Sequence, residues 1–105
     1  MDFDFSKIEG FEWDVGNLEH VKKHHVEAEE CEQVFKNRPL LISPDVEHSK
    51  TETRFKVLGK SNVGRFIFLS FTIRNKKIRV VSARDQNRIE RQDIAKIGGE
   101  DILKN

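Results

Sequence analysis

The chain has no tyrosine, only one cysteine and no long apolar run among its 105 residues. A single cysteine, Cys31, excludes an intramolecular disulfide and a zinc site built from several cysteines. No apolar stretch approaches the roughly 20 residues of a membrane span. The first five residues lack the basic start and the apolar core of a signal peptide. We therefore expect a cytoplasmic protein without a membrane segment.

The residues that are present suit one folded domain. Eight phenylalanines, Trp13 and the Val/Ile/Leu runs supply apolar side chains for a single core. A chain of 105 residues is large enough for one such core and too small for two. The sequence contains no repeats and no low-complexity segment. We expect one domain over residues 1–105, with residues 99–105 as a tail.

The net charge of +1 hides a strong polarity along the chain. Residues 1–52 contain 6 Lys and Arg against 13 Asp and Glu, whereas residues 53–105 contain 13 against 5. A basic half suits a polyanion such as RNA or DNA, and an acidic half suits a basic partner.

The hydrophobic pattern predicts an α+β fold, in which two N-terminal helices pack on a small antiparallel β-sheet and a helix follows the sheet. A short strand at residues 11–13 precedes a helix that Asp14 caps and that runs to about residue 24. A second helix is predicted at about residues 27–36. Residues 40–45 are predicted to be extended, and residues 46–52 to form a loop.

Three strands are predicted next, at residues 53–58, 65–73 and 78–83. Residues 59–62 have the composition of a turn, and residues 74–77 form a short basic turn. Such short connections favour antiparallel neighbours, with the middle strand central because it is apolar on both faces. Period 2 places Ser82 and Arg84 on one face with Ile78 and Val80. Asp85 is predicted to cap a last helix at about residues 86–97, which Gly98 and Gly99 would end.

The order of short motifs along the chain resembles the BrnT family over about residues 11–94. The amino half carries Phe-Glu-Trp-Asp-Val-Gly-Asn at 11–17, His20, Lys-His-His-Val at 23–26 and Glu-Glu-Cys-Glu-Gln-Val-Phe at 29–35. The carboxyl half carries Glu52, Arg54, Gly59, Gly64-Arg65, Arg-Val-Val-Ser-Ala-Arg at 79–84 and Glu90-Arg91. The resemblance implies a toxin of a type II toxin–antitoxin system with a RelE-like fold. It also implies a hetero-oligomer with a DNA-binding antitoxin, BrnA.

The activity implied by this resemblance is RNA cleavage without a metal or a cofactor, by attack of a 2′-hydroxyl on the adjacent phosphate. That reaction needs positive charge at phosphorus, a group that takes the 2′ proton and a group that protonates the 5′ oxygen. Six arginines offer guanidinium groups that fit phosphate: Arg54, Arg65, Arg79, Arg84, Arg88 and Arg91. Among these, Arg65 and Arg84 are expected at the reacting phosphate, with Ser82 as a hydrogen-bond donor beside them. The other four are expected to bind RNA.

His20 and His24 are the predicted candidates for the base, because histidine titrates near neutral pH and both share a helical stripe with Asn17. The alternative is that they only pack or lie on the surface. A zinc pair lacks a third ligand. Glu52 and Glu90 are open alternatives as bases or as partners of nearby arginines, whereas His25 and His48 carry no catalytic argument. Trp13 is either a core residue or a platform on which an RNA base stacks.

Three positions, His25, Glu27 and Ile94, depart from the pattern of the family, and Glu27 stands where a Ser or Thr usually caps the second helix. His25 stands where a glycine is common, so a histidine would have to make the left-handed turn between the first two helices. Ile94 stands where a tyrosine is common. The missing tyrosine favours an alternative function, a catalytically inactive module of the same fold that binds nucleic acid or a protein.

Overall fold

The computed structural model describes residues 5–96 and 101–103, and these form an α+β fold, as predicted. The helices in this part of the chain are α1 (Val15–Lys22), α2 (Ala28–Val34) and α3 (Arg88–Ala95). The strands are β1 (Gly10–Phe11), β2 (Leu40–Pro44), β3 (Arg54–Lys60), β4 (Phe66–Arg74), β5 (Lys77–Asp85) and β6 (Asp101–Leu103). Short 3₁₀ turns lie at Phe5–Lys7 and Val46–His48.

The described strands form one sheet in the order β1-β5-β4-β3-β2-β6. Strands β2 to β5 pair antiparallel with their chain neighbours, and β4 lies between β3 and β5 as predicted. The prediction of a wholly antiparallel sheet is wrong, because β1 pairs parallel with β5 and β6 pairs parallel with β2. Segments from the two ends of the described chain thus extend the sheet at both edges.

Several predicted boundaries are corrected by backbone pairing. The first strand is β1 and not residues 11–13, and the extended segment at residues 40–45 becomes β2. Gly59 and Lys60 continue β3 opposite Ile67 and Phe66, so the turn predicted at residues 59–62 begins only at Ser61. Helix α3 is capped by Asn87, whose side chain accepts a hydrogen bond from the Glu90 backbone, and not by Asp85. Its predicted end at Gly98 and Gly99 lies outside the described residues.

Helices α1 and α2 pack on one face of the sheet. Asp14 caps α1 as predicted, in a reciprocal capping box with Asn17. The main core is buried under these helices and consists of Val21, Val26, Cys31, Val34, Leu40, Ile42, Phe55, Val57, Ile67, Leu69, Phe71, Ile78, Val80 and Ala83. Gly59 permits this close approach, since a Cβ there would lie 2.7 Å from Val34 Cγ1.

The opposite face of the sheet, which we call the open face, is covered only in part. Helix α3 packs there through Ile94, which forms a small cluster with Leu41 and Leu58, bordered by Phe66 and Phe68. Ile94 is the buried residue of α3. The remainder of this face carries the polar side chains described below.

A β-bulge in β5 decides which side chains reach the open face. Phe71 pairs with Val80 and Ser70 with Ser82, so Val81 is an extra residue without a partner on β4. Ile78 and Val80 precede the bulge and lie in the main core, as does Ala83 after it. Ser82 and Arg84 therefore lie on the face opposite to Ile78 and Val80. The prediction that all four share a face is wrong, because strict alternation does not allow for the inserted residue.

None of the helices in the described segments could cross a bilayer, since the longest have eight residues.

Candidate functional site

A row of polar side chains crosses four strands of the open face. The strand register aligns Ser43 on β2 with Lys56 on β3, then Ser70 on β4 and Ser82 on β5. With strands about 4.8 Å apart, the row is roughly 14 Å long. Lys56 is exposed, Ser43 and Ser82 are half-buried, and Ser70 is buried. We call these four residues the serine–lysine row.

One flank of the row is a cleft between the sheet and α3. Its floor contains Leu41, Leu58 and Phe68, and Glu90 and Asp93 of α3 form the opposite wall, with Ser43 and Lys56 at its side. The cleft therefore offers a cation, a hydroxyl and two carboxylates beside an apolar floor. This combination can hold a polar ligand and exchange protons with it.

Arg84 lies at this cleft and is held in two ways. Its guanidinium stands 4.2 Å from the centre of the Phe68 ring. Arg84 also donates two hydrogen bonds to Glu90, of 2.8 and 2.9 Å. Burial alone would raise the pKa of the Glu90 carboxyl, but the hydrogen bonds from Arg84 and from the Asn87 backbone outweigh it and lower that pKa. Glu90 is thus held as a carboxylate, and it keeps Arg84 in position at the end of β5.

The other flank of the row is rich in arginine and carboxylate. Register places Arg54, Thr72 and Arg79 side by side across β3, β4 and β5. Arg79 donates to Asp14 at 2.8 Å and to Glu12 at 3.1 Å. The hydrogen bonds from Arg79 to Asp14 lower the pKa of the Asp14 carboxyl. The hydrogen bonds from Arg74 to Glu52 lower the pKa of the Glu52 carboxyl.

Arg54 is the least completely paired member of this flank. Its Nη2 lies 3.8 Å from Glu52 Oε2, and its Nε is buried without a hydrogen-bond partner among the described residues. Arginines thus border the serine–lysine row on both sides, Arg84 on one side and Arg54 and Arg79 on the other, each beside carboxylates.

Arg65, predicted to act at the reacting phosphate, lies immediately before β4. Its side chain holds neighbouring segments of the chain together. Its guanidinium donates to Asp85 at 2.7 Å, to Glu30 at 3.2 Å, and to the backbone carbonyls of His24 and His25 at 3.2 and 2.8 Å. All three of its nitrogens are engaged. These contacts join the α1–α2 turn to the ends of β4 and β5, and they do not bring Arg65 to the serine–lysine row.

His20 and His24 do not form the predicted stripe with Asn17. Helix α1 ends at Lys22, so His24 lies in the following turn, and both histidines are exposed. Asn17 is buried and donates to the carbonyls of Glu12 and Val80. The two histidines lie on the elements that cover the other face of the sheet. They therefore stay on the side of the sheet away from Ser82 and Arg84, although His24 lies close to Asp85.

Trp13 is also on the side of the main core. It packs against that core, and its indole nitrogen donates to Glu32 at 2.8 Å. These contacts tie the segment before α1 to α2, which agrees with the core alternative for this residue.

Arg88 and Arg91 line a second groove at the outer side of α3. Arg91 lies over the Phe66 ring at 4.9 Å, and Lys60, Pro39 and Gln86 also border this groove. The groove adjoins the open face through Phe66, so the two arginines extend its positive charge along α3.

Of the predicted site residues, the structure thus groups Ser82, Arg84, Arg54 and Arg79 on the open face, with Arg88 and Arg91 beside it. Sequence reasoning missed Lys56, Ser43 and Ser70. A signal was available, because Lys56 and Ser70 each lie between residues of the main core and Ser43 follows the buried Ile42. Grouping the three residues also requires the register between strands. Within residues 5–96 and 101–103, no group of three His, Cys, Asp or Glu side chains is arranged to hold a metal ion.

The sequence matches a family model described as the ribonuclease toxin, BrnT, of type II toxin-antitoxin system, over residues 13–90. No curated protein matches the chain significantly. The match includes the serine–lysine row, Arg84 and Glu90 on one flank, Arg54 and Arg79 on the other, and the first residues of α3.

Proposed function

The chain belongs to the BrnT family of ribonuclease toxins of type II toxin–antitoxin systems, and from this membership we propose that it cleaves RNA on the open face of its sheet. The proposed reaction is metal-independent attack of a 2′-hydroxyl on the adjacent phosphate. The observation that carries this proposal is the serine–lysine row with arginines on both sides.

The proposed roles follow from the charges of these groups. Lys56 and Arg84 stabilise the negative charge that grows on the phosphate oxygens, because cations on a rigid sheet need little rearrangement during the reaction. Ser82 donates a hydrogen bond to the same phosphate. Arg54 and Arg79, with Arg88 and Arg91 beyond α3, hold neighbouring phosphates. Arg84 is paired with Glu90 in the free protein, so a bound phosphate competes with this carboxylate.

The predicted site around His20, His24 and Arg65 stays a second candidate position. Asp85 lies close to His24. The pKa of Asp85 is lowered mainly by the hydrogen bond that it accepts from Arg65. An RNA phosphate bound there would have to displace the contacts that occupy the Arg65 guanidinium. The open face is favoured because neither Lys56 nor Ser82 is held by such a network among the residues that the structure describes.

A type II toxin has an antitoxin as its partner, and we propose a DNA-binding antitoxin similar to BrnA in a hetero-oligomer with this chain. The acidic half supports a basic contact segment. Glu29 and Glu30 lie in the first turn of α2, and Glu27 precedes it. Such a surface attracts lysine and arginine side chains.

The test is cleavage of a mixed-sequence RNA by the purified chain, with and without excess chelator. We expect 2′,3′-cyclic phosphate ends and no effect of the chelator. Arg84→Ala and Lys56→Ala should each lower the rate by about 100-fold, since each removes a charge that stabilises the transition state. Lys36→Ala is the matched control, because Lys36 is exposed beyond the end of α2.

The alternative function, an inactive binding module, makes a different prediction. It requires RNA affinity that falls with salt and no cleavage products from the folded chain. A double variant of His20 and His24 to glutamine separates the two positions of the site. Loss of cleavage in that variant, with Arg84→Ala active, would move the site to the α1 side.

A further inference from the structure

The connection between β2 and β3 pairs a buried aspartate with an exposed histidine. Asp45 Oδ2 lies 2.9 Å from His48 Nδ1, and the side chains are 5% and 63% exposed, respectively. Asp45 also donates its backbone N–H to the Arg54 carbonyl at 2.8 Å, which continues the β2–β3 pairing. The histidine is therefore fixed to the sheet through a carboxylate that solvent hardly reaches.

The loop around this pair is well braced. Ser49 Oγ donates to the Asp45 carbonyl at 2.6 Å and accepts from the Arg54 backbone at 2.9 Å. The other carboxylate oxygen, Asp45 Oδ1, is buried and has no hydrogen-bond partner within residues 5–96 and 101–103. Burying a carboxylate oxygen without a partner is costly. An exposed histidine at a loop tip does not need such a carboxylate for its own solvation, so the arrangement suggests a function for the imidazole.

The pair lies at the edge of the open face. Ser43 and Asp45 are two residues apart on an extended segment, so their side chains point to the same face of the sheet. Asp45 stands opposite Arg54, at the end of the flank that Arg54, Thr72 and Arg79 form. The Asp45–His48 pair thus lies at the β2 end of the open face, with Asp45 opposite Arg54 and two residues from Ser43 of the serine–lysine row.

We propose that His48 is the general base of RNA cleavage on the open face and that Asp45 is its positioning residue. This inference rests on the proposed function. An imidazole that donates Nδ1–H to a carboxylate presents an unprotonated Nε2, which can accept a proton. Asp45 thereby selects the productive tautomer of His48 and supports the positive charge that the ring gains.

The proposed step balances as follows. Nε2 of His48 takes the proton of the 2′-hydroxyl, and the 2′ oxygen forms a bond to phosphorus. The bond between phosphorus and the 5′ oxygen breaks, and the leaving oxygen takes a proton from water. The hydroxide left from that water takes the proton from His48 Nε2, which returns the imidazole to its starting state. The products are a 2′,3′-cyclic phosphate and a 5′-hydroxyl, without an oxidant, a reductant or a metal.

The experiment measures single-turnover cleavage of a mixed-sequence RNA by the whole chain and by His48→Ala, His48→Gln and Asp45→Asn. We expect His48→Ala and His48→Gln to lose about 10²- to 10⁴-fold in rate, the usual contribution of a general base. Added imidazole should restore part of the rate of His48→Ala and should not affect Arg84→Ala. Asp45→Asn should slow cleavage while His48 is still present, because the amide no longer holds the same tautomer.

Two controls separate a chemical role from a structural one. His25→Asn is a matched histidine change in an exposed turn with φ of 59°, a conformation that asparagine tolerates, and it should cleave at the normal rate. Affinity for an all-deoxy analogue, which lacks the 2′-hydroxyl, should be the same for His48→Gln as for the unchanged chain. Thermal unfolding of each variant reports whether the loop is intact.

Full cleavage by folded His48→Gln, or a loss that follows unfolding or weaker RNA binding without imidazole rescue, would overturn the role of His48 and leave the proposed function standing. Absence of any cleavage by the unchanged, folded chain would instead remove the proposed function itself, and the inference with it.

Discussion

Arg84 and Glu90 form a two-point ion pair across the cleft between β5 and α3, with N–O distances of 2.8 and 2.9 Å. The pair connects Arg84, which we propose binds the reacting phosphate, to α3, the helix that covers part of the open face. The pKa of Glu90 is lowered in the folded chain. The folded state therefore binds a proton at this carboxyl more weakly than the unfolded state does. The contribution to the free energy of unfolding is therefore present above the usual pKa of 4.5 and is lost as pH falls through the lower folded value.

The first prediction concerns Glu90→Gln, which removes this linkage. We expect a loss of less than about 1 kcal/mol near neutral pH, because Arg84 is partly exposed to solvent. The difference from the unchanged chain should shrink below about pH 4.5, the ordinary value of the glutamate carboxyl. Chemical denaturation at a series of pH values measures it. Glu19→Gln on α1 is the control, and a difference that grew on acidification would contradict the proposed linkage.

The second prediction concerns the buried Asn17. It caps α1 together with Asp14, and its Nδ2 donates to the carbonyls of Glu12 and of Val80 beside the bulge. Asn17→Ala should lower the free energy of unfolding by about 2 kcal/mol or more, because it leaves buried backbone groups without partners. Asn17→Asp keeps the acceptor for the Asp14 backbone but loses both donated bonds. An Asn17→Ala variant as stable as the unchanged chain would show that the bulge does not depend on this side chain.

The local parts of the fold were predictable from the sequence, because they depend on neighbours in the chain. Asp14 as a cap and β4 as a central strand follow from residue type and period. The parallel strands β1 and β6 were not predictable, because they pair with strands far away along the chain. The face predicted for Ser82 was also wrong, because the bulge at Val81 reverses the alternation of side chains along β5. The residue types around Val81 do not indicate this bulge.

The candidate site was predicted only in part, because it depends on which strands are neighbours in the sheet. The sequence identified Arg54, Arg79, Ser82 and Arg84 through the family resemblance, and the sheet brings them to one face. It did not identify Lys56, whose neighbours in the row come from β2, β4 and β5. The role proposed for His48 depends on the buried Asp45, and burial is a property of the fold and not of the spacing between the two residues.

The third prediction concerns His25, which adopts φ of 59° as the sequence predicted for the α1–α2 turn. A left-handed conformation is costly for a residue with a Cβ. His25→Gly should therefore raise the free energy of unfolding by up to about 1 kcal/mol, after the greater flexibility of glycine in the unfolded chain is counted. Lys23→Gly is the matched control. Lys23 is right-handed with φ of −55°, so its replacement by glycine should lower the free energy of unfolding. Equal effects of the two changes in urea unfolding would argue against strain at His25.

The fourth prediction concerns how α3 is attached to the open face. Ile94 is 1% exposed and is the buried side chain of that helix. Other contacts are the Arg84–Glu90 pair and Arg91 over Phe66. Ile94→Ala should cost about 2 to 5 kcal/mol if α3 stays docked above the resulting cavity. The helix can avoid much of this cost by undocking, because the main core lies on the other face.

Amide hydrogen exchange distinguishes these two responses to Ile94→Ala. Undocking predicts faster exchange in α3 with little change in β4 and β5, since local opening then precedes global unfolding. It also frees Arg84 from Glu90, so affinity for RNA should rise at low salt while the free energy of unfolding falls only slightly. Ile89→Ala is the control, because Ile89 is 66% exposed on the same helix. Uniformly faster exchange throughout the sheet would instead show that α3 is an integral part of the cooperative core.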